Sequence, residues 1–340
     1  MRTISTLKKL IFILLIFSIN HLTAQDPVLS QFYSSPLLLN PAFAGNTQSA
    51  RFALNYRNQW PGLAQAYRTY AISYDQFFED YNSGVGISLL TDDAGRGLYK
   101  TTKFGAVYSY RLQISKNTFI KTGMELAGVQ AGIGWDKLLF PDQLDPLYGE
   151  VGPGGSPIPS LELRPDQISK VYLDLAMGTM IYSPYFYGGI SLNHINNPDT
   201  RFIKISDNTS NSLPLRYTIH GGSQINIFDG KPGRSSIFIS PNFMYTHQSN
   251  FTELLGGAYF GLGSLFAGVW ARLTPHNPDA AIISVGLRTG KMKISYSYDA
   301  TISRLSYRSG GAHEIGIVYN LDDQNGRKGL DYNDCFQLFR

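Results

Sequence analysis

Three polar side chains in the stretch 296–320, YSYDATISRLSYRSGGAHEIGIVYN, interrupt two runs that otherwise alternate like the strands of a hairpin. They are Asp299, His313 and Glu314. Two carboxylates and an imidazole are groups that enzymes use for general acid–base catalysis. The same residue types also occur where a protein wall faces water. The sequence therefore poses a choice between a catalytic cluster and a polar wall.

The alternation sorts these three side chains by face, because residues two apart share one face of a strand. If Tyr296 faces an apolar environment, Asp299 faces the opposite side. Glu314 then faces the same way as Asp299, while His313 lies on the apolar side near a rim. A carboxylate that faces hydrocarbon is costly, so we expect the carboxylates of Asp299 and Glu314 to face the lumen. Their expected partners are basic side chains of the lumen such as Arg51, Arg57 or Arg288. The pattern favours a structural polar wall over catalysis, with binding of a partner or a plug as the alternative.

Other candidates for chemistry are weaker. His247 and Ser249 have the spacing of a phospholipase-like dyad, but they fall at a strand end without an orienting Asn or Asp. The glycine-rich stretch that begins with Asp92 and Asp93 lacks the alternating oxygen ligands of an EF-hand. Metalloprotease, phosphate-loop and hydrolase motifs are absent. The single cysteine, Cys335, forms no internal disulfide. We predict no catalytic residue, no metal site and no cofactor.

The start of the chain resembles a secretory signal. Basic residues precede an unbroken apolar run at 10–19, and Ala24 offers a small residue for cleavage. The run is too short to span a membrane as a helix, which needs about 20 residues. Residues 1–24 hold three of the 29 Lys and Arg and none of the 25 Asp and Glu, so the remainder carries +1 rather than +4. We therefore expect no nucleic-acid partner.

Composition and periodicity together indicate a membrane barrel. The chain has 22 Tyr, 20 Phe and 34 Gly, with only 16% charged residues, against an average of about 25%. Segments such as 51–57 (RFALNYR) alternate strictly, and their length of roughly nine to twelve residues suits tilted transmembrane strands. Aromatic residues near strand ends fit interfacial girdles: Tyr74, Tyr108, Tyr110, Tyr182, Tyr185 and Tyr298.

The predicted fold is an all-β, transmembrane antiparallel β-barrel of about fourteen strands in the outer membrane of a Gram-negative bacterium. Short connections fall on one rim, the periplasmic one, and long connections fall on the extracellular rim, above all 135–170 and 194–214. We divide the chain into a signal peptide (1–24), an irregular N-terminal segment (25–46), the barrel (47–320) and a polar C-terminal tail (321–340). The sequence leaves open whether the lumen is open or plugged; in a plugged barrel, either the N-terminal segment or an inward-folded loop would serve as the plug.

Three blocks carry a resemblance to a known family. They are DPVLSQFYSSPLLLNPAFAG at 26–45, YRNQWPG at 56–62 and YSYDATISRLSYRSGGAHEIGI at 296–317, with a weaker fourth, WDKLLFPDQLDP, in the longest loop. In their order and spacing they resemble the PorP/SprF family of outer-membrane proteins from the type IX secretion and gliding-motility systems of Bacteroidetes.

This resemblance implies a barrel that does no chemistry. It implies a partner that is a secreted, adhesin-like surface protein, held through its C-terminal signal domain, and a link to periplasmic lipoproteins of the secretion machinery; outer-membrane lipid surrounds the barrel. The family blocks mark a set of positions for partner binding or structure: Asn40, Pro41, Arg57, Trp60, Asp299, His313 and Glu314. The alternative function is a passive porin or uptake channel.

Overall fold

The computed structural model describes residues 26–47, 50–64, 66–152, 155–202, 212–228, 237–275, 277–302 and 307–321. The predicted signal peptide and nearly all of the predicted tail, including Cys335, lie outside the described residues. Regular structure in the described part is almost entirely β-strand.

Fifteen strands of the described residues form one antiparallel sheet that closes on itself. Consecutive strands pair, the last pairs with the first, and the short β9 continues β8 along β10. The wall thus has fourteen strand positions, which confirms the predicted outer-membrane barrel. The strands are β1 (Arg51–Gln59), β2 (Tyr67–Phe78), β3 (Ser83–Ala94), β4 (Tyr99–Ser115), β5 (Thr118–Ile133), β6 (Ser169–Tyr182), β7 (Phe186–Asn193), β8 (Arg216–Ser223), β9 (Ile225–Phe228), β10 (Ile237–Gln248), β11 (Phe251–Leu262), β12 (Leu265–Thr274), β13 (Asn277–Thr289), β14 (Met292–Thr301) and β15 (Ala312–Asn320).

Alternation along β1 shows how the sequence sets the two faces. Phe52 and Leu54 are exposed on the outer wall, where lipid would cover them, while Arg51 and Arg57 are buried inside. The same alternation puts Tyr296 outside in β14. β4 and β5 are 17 and 16 residues long, longer than predicted, because they continue beyond the hydrocarbon layer of about 30 Å.

The prediction of an interfacial position is wrong for one of the girdle residues. Tyr182 is only 2% exposed and stacks on Phe119 inside the barrel, with ring centroids 5.4 Å apart. Its position at the end of β6 matched an interfacial aromatic, but its register places it on the inner face. Several other aromatic side chains also point into the barrel.

The rims differ in the way the sequence predicts. Residues 79–82, 116–117, 183–185, 263–264 and 290–291 make short connections on one rim, while 134–168 and 194–215 make long ones on the other. Single-chain outer-membrane barrels place short turns in the periplasm and long loops outside the cell. We therefore assign the rim at which β1 begins to the periplasm.

Short helical turns occur at Phe32–Ser34, Pro36–Leu39, Pro41–Phe43, Glu79–Tyr81, Trp135–Lys137, Pro141–Gln143 and Tyr307–Ser309. No helix in the described part of the chain combines the length and the apolar character needed to cross a membrane.

Residues 26–47 run through the inside of the barrel, and we call this segment the plug. Asp26 lies beside Gln248 at the extracellular ends of the strands, and Gly45 lies beside Asp75 near the periplasmic rim. Between these two ends most of the plug is buried. The chain thus descends the lumen from the extracellular side before it enters β1.

Candidate functional site

The upper part of the plug is held by the carboxylate of Glu314. The backbone N–H groups of Ser30 and Gln31 donate to its two oxygens, at 2.8 and 2.9 Å. The Gln31 side chain also donates to the Glu314 carbonyl oxygen, at 2.9 Å. Buried N–H groups need such acceptors, because an unpaired one costs free energy comparable to a lost hydrogen bond. Glu314 thus gives a segment without strand structure a partner on the barrel wall.

Two arginines neutralise this carboxylate and its neighbour. Arg57 pairs with Glu314 at 3.1 Å and with Asp299 at 2.9 Å, and Arg272 pairs with Asp299 at 2.8 Å. The hydroxyl of Ser30 sits among them, donating to Asp299 at 2.6 Å and accepting from both arginines. We call these five residues the ionic anchor. It confirms that Asp299 and Glu314 face inward and that Arg57 is their partner.

The middle of the plug is positioned by Asn40 and Pro41. The Asn40 amide donates to the carbonyl oxygens of Thr179 and Ile190, each at 3.2 Å, and its oxygen accepts from the Ala42 N–H at 2.9 Å. These contacts join the plug to β6 and β7. The Asn-Pro step therefore ends one helical turn and starts the next while anchoring both to the wall.

Glycines in the wall make room for this step. A Cβ on Gly178 would lie 2.0 Å from the Asn40 side-chain oxygen, and one on Gly123 would lie 2.5 Å from the Pro41 carbonyl carbon. Any larger residue would collide with the plug. Part of the high glycine content is thus explained by the close approach of the plug to the wall.

The rest of the plug packs into an apolar core. Phe32 and Tyr33 meet the rings of Trp270 and Tyr259 at centroid distances of 4.9–6.5 Å. Further down, Phe43 packs on rings from β7 and β8. Other plug members of this cluster are Leu37, Leu39, Ala42 and Ala44, against Val107, Phe119, Met180, Tyr182, Tyr187, Met244, Leu255, Ala280 and Ile282. The centre of the lumen is therefore packed protein.

The periplasmic end of the plug is held by polar groups. The Gly45 N–H donates to Asp75 at 2.8 Å, and its carbonyl accepts from Lys121 at 2.8 Å. Arg51, one of the predicted partners of Asp299, pairs with Asp75 instead, at 2.9 Å. Arg288, another predicted partner, lies opposite Lys293 at the periplasmic ends of β13 and β14. Both predictions were wrong because β1 and β13 carry these residues to the far end from Asp299.

At the extracellular end a histidine clasps the plug to the wall. His194 lies 2.7 Å from Asp26 and 2.8 Å from Asp174, through its two ring nitrogens. Burial alone would lower the pKa of His194, but the two carboxylates outweigh it and raise the pKa to about 9. Burial likewise opposes ionisation of Asp26, yet His194 and Arg216 hold the pKa of that carboxyl well below its ordinary range.

Two predicted positions stay outside the ionic anchor. Trp60 lies in the β1–β2 connection, where its backbone N–H donates to the Gly311 carbonyl oxygen at 2.8 Å. Its ring packs edge to face on the ring of Tyr67. His313 lies on the outer side, as its alternation predicts, and contacts the hydroxyl of Tyr296 at 2.8 Å. Arg57, Asp299 and Glu314 are thus brought together, whereas Asn40 and Pro41 lie deeper and Trp60 and His313 lie near the rim.

Above the plug lies a cavity of about 510 Å³, which we call the vestibule. Its floor is formed by Asp26, Pro27 and Val28, and its walls come from strands all around the barrel. Within the described residues no group of three or more His, Cys, Asp or Glu is arranged to hold a metal ion. The charged groups described here are one another's partners, an arrangement that holds segments together.

Comparisons with solved structures return outer-membrane barrels at low similarity. The KdgM porin is 8% identical, with a TM-score of 0.34 over 79% of this chain and 99% of that chain. The CymD monoaromatic hydrocarbon channel is 10% identical, with a TM-score of 0.44 over 86% and 93%. A FadL homologue of Pseudomonas aeruginosa is 11% identical, with a TM-score of 0.41 over 83% and 93%. No curated protein matches the sequence significantly.

A protein-family model matches residues 22–319, which include the plug, the ionic anchor and the barrel wall except Asn320, the last residue of β15. Its description is a type IX secretion system membrane protein, PorP/SprF. This family and the barrel fold agree with a location in the outer membrane. The chain belongs to the PorP/SprF family of type IX secretion system membrane proteins.

Proposed function

We propose that this protein is a non-enzymatic anchor, which holds the C-terminal domain of a secreted, adhesin-like surface protein at the extracellular side of the outer membrane. The observation that carries the proposal is the packed lumen: residues of the plug and the wall form one buried core. A barrel filled in this way offers surfaces to a partner rather than a passage to a solute. Membership in a secretion family supplies the context.

The extracellular loop 134–168 supports a contact with a protein partner. Leu147, Leu161 and Leu163 are 87%, 89% and 88% exposed on this loop. The loop is nevertheless braced, because Asp142 accepts from the Ser160 hydroxyl at 3.0 Å and from the Leu161 N–H. A partner that buries these side chains gains about 25 cal/mol for each Å² of apolar surface removed from water. We therefore place the first contact with the partner there.

The same proposal includes a link to periplasmic lipoproteins of the secretion machinery. The periplasmic rim supports it with short connections, of which 79–82 and 116–117 are examples. A partner that docks on this rim would meet the strand ends beside the lower end of the plug.

The absence of catalysis is also part of the proposal. His194 has both ring nitrogens occupied by carboxylates, and His247 contacts Thr252 at 2.7 Å rather than Ser249. Neither histidine is placed to activate a nucleophile, a step that needs a free ring nitrogen beside the attacking group.

Substitution of the loop leucines tests the anchor. A variant with Leu147→Ser, Leu161→Ser and Leu163→Ser should release one surface protein from whole cells into the medium, because the apolar contact is lost. The matched control carries Glu150→Ser, Glu162→Ser and Arg164→Ser on the same loop and should retain it. Mass spectrometry of cell and medium fractions measures the result. Equal retention of every surface protein in both variants would refute the role of this loop.

A further inference from the structure

One side of the vestibule, counted together with the ionic anchor behind it, holds more acid than base. Arg272 is shared by three carboxylates: Asp299 at 2.8 Å, Glu253 at 3.4 Å and Asp279 at 3.7 Å. Arg57 serves Asp299 and Glu314. Four carboxylates thus share two guanidinium groups along β11–β15 and β1. This side of the vestibule therefore has a deficit of positive charge.

The carboxylate of Glu253 belongs to this group and lies in the wall of the vestibule. Its side chain is 4% exposed and lines the cavity. One of its oxygens lies near Arg272, while the other, Oε1, has no hydrogen-bond partner among the described residues. A buried carboxylate oxygen without a partner bears the full desolvation penalty of the group. A ligand that supplies a charged donor at this oxygen would recover that cost.

The wall of the vestibule also carries aromatic faces. Trp60, Tyr67, Tyr99 and Tyr172 all line the vestibule, and Trp60 and Tyr67 meet edge to face at 5.5 Å. Aromatic rings attract a cationic group and also pack on the aliphatic stem that carries it. Carboxylates and aromatic rings around one cavity suit the side chain of a lysine or an arginine.

The other basic groups that line the vestibule, Lys103 and His194, already have partners. Lys103 lies between Glu125 at 2.9 Å and Asp174 at 3.1 Å, and His194 is held by Asp26 and Asp174. Their charges are therefore balanced locally and do not neutralise the carboxylates that share Arg272. Asp92, which also lines the vestibule, accepts only from the Thr69 hydroxyl among the hydrogen bonds of the described residues.

We propose that the vestibule is a binding site for a basic side chain of the secreted partner, with Glu253 as the acceptor. A guanidinium group fits better than an ammonium group, because it is more weakly hydrated and its flat face stacks on aromatic rings. This inference rests on the proposed function and deepens it: the loop 134–168 makes the apolar contact, and the vestibule receives a charged residue. The site would give the barrel specificity for partners that present an arginine at the correct place.

Two short peptides test the site without the natural partner. Acetyl-Gly-Arg-Gly-amide and its citrulline counterpart, which has the same shape without the charge, are titrated into the purified full-length barrel in detergent by calorimetry. The arginine peptide should bind, and the citrulline peptide should bind at least about tenfold more weakly. Glu253→Gln should reduce binding of the arginine peptide by a similar factor, whereas Glu162→Gln on the exposed loop should not change it.

The outcomes separate this inference from the proposed function. No binding of the arginine peptide, or equal binding by Glu253→Gln and the natural chain, overturns the site. Asp279→Asn, on the same wall and partly exposed, serves if Glu253→Gln does not assemble, and it should weaken binding in the same direction. Binding that requires Glu253, together with a barrel that retains no surface protein in cells, would support the site and refute the anchor.

Discussion

Glu314 joins parts of the chain that are distant in sequence. Its carboxylate accepts two successive N–H groups of the plug and pairs with Arg57 of β1, so it fixes the plug against the closure of the barrel between β15 and β1. The feature that suggested catalysis is thus explained by structure: two carboxylates lie close together because both are needed to hold one buried segment.

Glu314→Gln should therefore destabilise the barrel. The amide keeps the shape but leaves Arg57 and two plug N–H groups with a weaker acceptor, and removal of one partner of a buried ion pair costs about 3 kcal/mol or more. Urea unfolding in detergent micelles measures the free energy of unfolding. Glu162→Gln is the matched control. A Glu314→Gln protein as stable as this control would contradict the structural role of the ionic anchor.

The His194 clasp predicts a dependence on pH. The pKa of His194 is raised from 6.5 to about 9, so its contribution to stability is complete below pH 6.5 and is lost as pH rises through about 9. Asp26 contributes in the opposite sense: its lowered pKa means that its contribution is lost only in acid. The groups that face His194 are Asp26 and Asp174, with Arg216 and Lys103 behind them.

The unfolding free energy of the natural chain should accordingly fall between pH 6 and pH 10 by about 3 kcal/mol more than that of His194→Gln. Urea titrations of both proteins across this range provide the comparison. Parallel pH profiles would show that His194 is not held as an imidazolium by the two carboxylates.

The plug is the element on which the account depends, and its role was only partly predictable from sequence. Pro27, Pro36 and Pro41 exclude a long helix or a central strand, but this irregular segment has no periodicity that reveals where it packs. Alternation correctly predicted the facing of Arg57, Asp299 and Glu314. The partners among distant strands, by contrast, depend on barrel closure and register.

Arg272 is the residue that sequence reasoning missed. It shares the inner face of β12 with Trp270, so this strand carries both its largest aromatic residue and its charge inside. A rule that assigns apolar residues to lipid gives no clear answer for such a strand. The signal that was present is the Trp-x-Arg spacing, which puts both side chains on one face. The aromatic core around the plug explains why the interior accepts a tryptophan.

Displacement of the plug should open a channel. Gly123→Val combined with Gly178→Val places side chains where Pro41 and Asn40 lie, so the plug can no longer seat against β5 and β6. The natural barrel should be silent in a planar bilayer, and the double variant should conduct, since a barrel of this size encloses a wide lumen once emptied.

Gly128→Val is the matched control for this experiment, because a Cβ on Gly128, also in β5, meets nothing within 4 Å. It should remain silent. Large, stable conductance by the natural barrel would contradict a plugged lumen and would support the porin alternative.

At the scale of the whole molecule, the barrel presents two different rims. The extracellular rim carries the exposed leucines of loop 134–168 and the vestibule, and the periplasmic rim carries short turns beside the lower end of the plug. The proposed function therefore requires one orientation of the barrel in the membrane. It also requires that one partner be held on the outside.

The orientation is tested by labelling of single cysteines in a Cys335→Ala background. Leu147→Cys should react with a membrane-impermeant maleimide on whole cells, whereas Lys116→Cys, in the β4–β5 turn, should react only after the outer membrane is opened. The reverse pattern would show that the long loops face the periplasm and would remove the basis for a surface anchor.

The proposed surface anchor is tested by recovery of the tagged, full-length protein from its own outer membrane in mild detergent, with mass spectrometry of the proteins that accompany it. We expect one large secreted protein, retained through its C-terminal domain, together with periplasmic lipoproteins of the secretion machinery. A barrel recovered alone and in good yield would contradict the anchor.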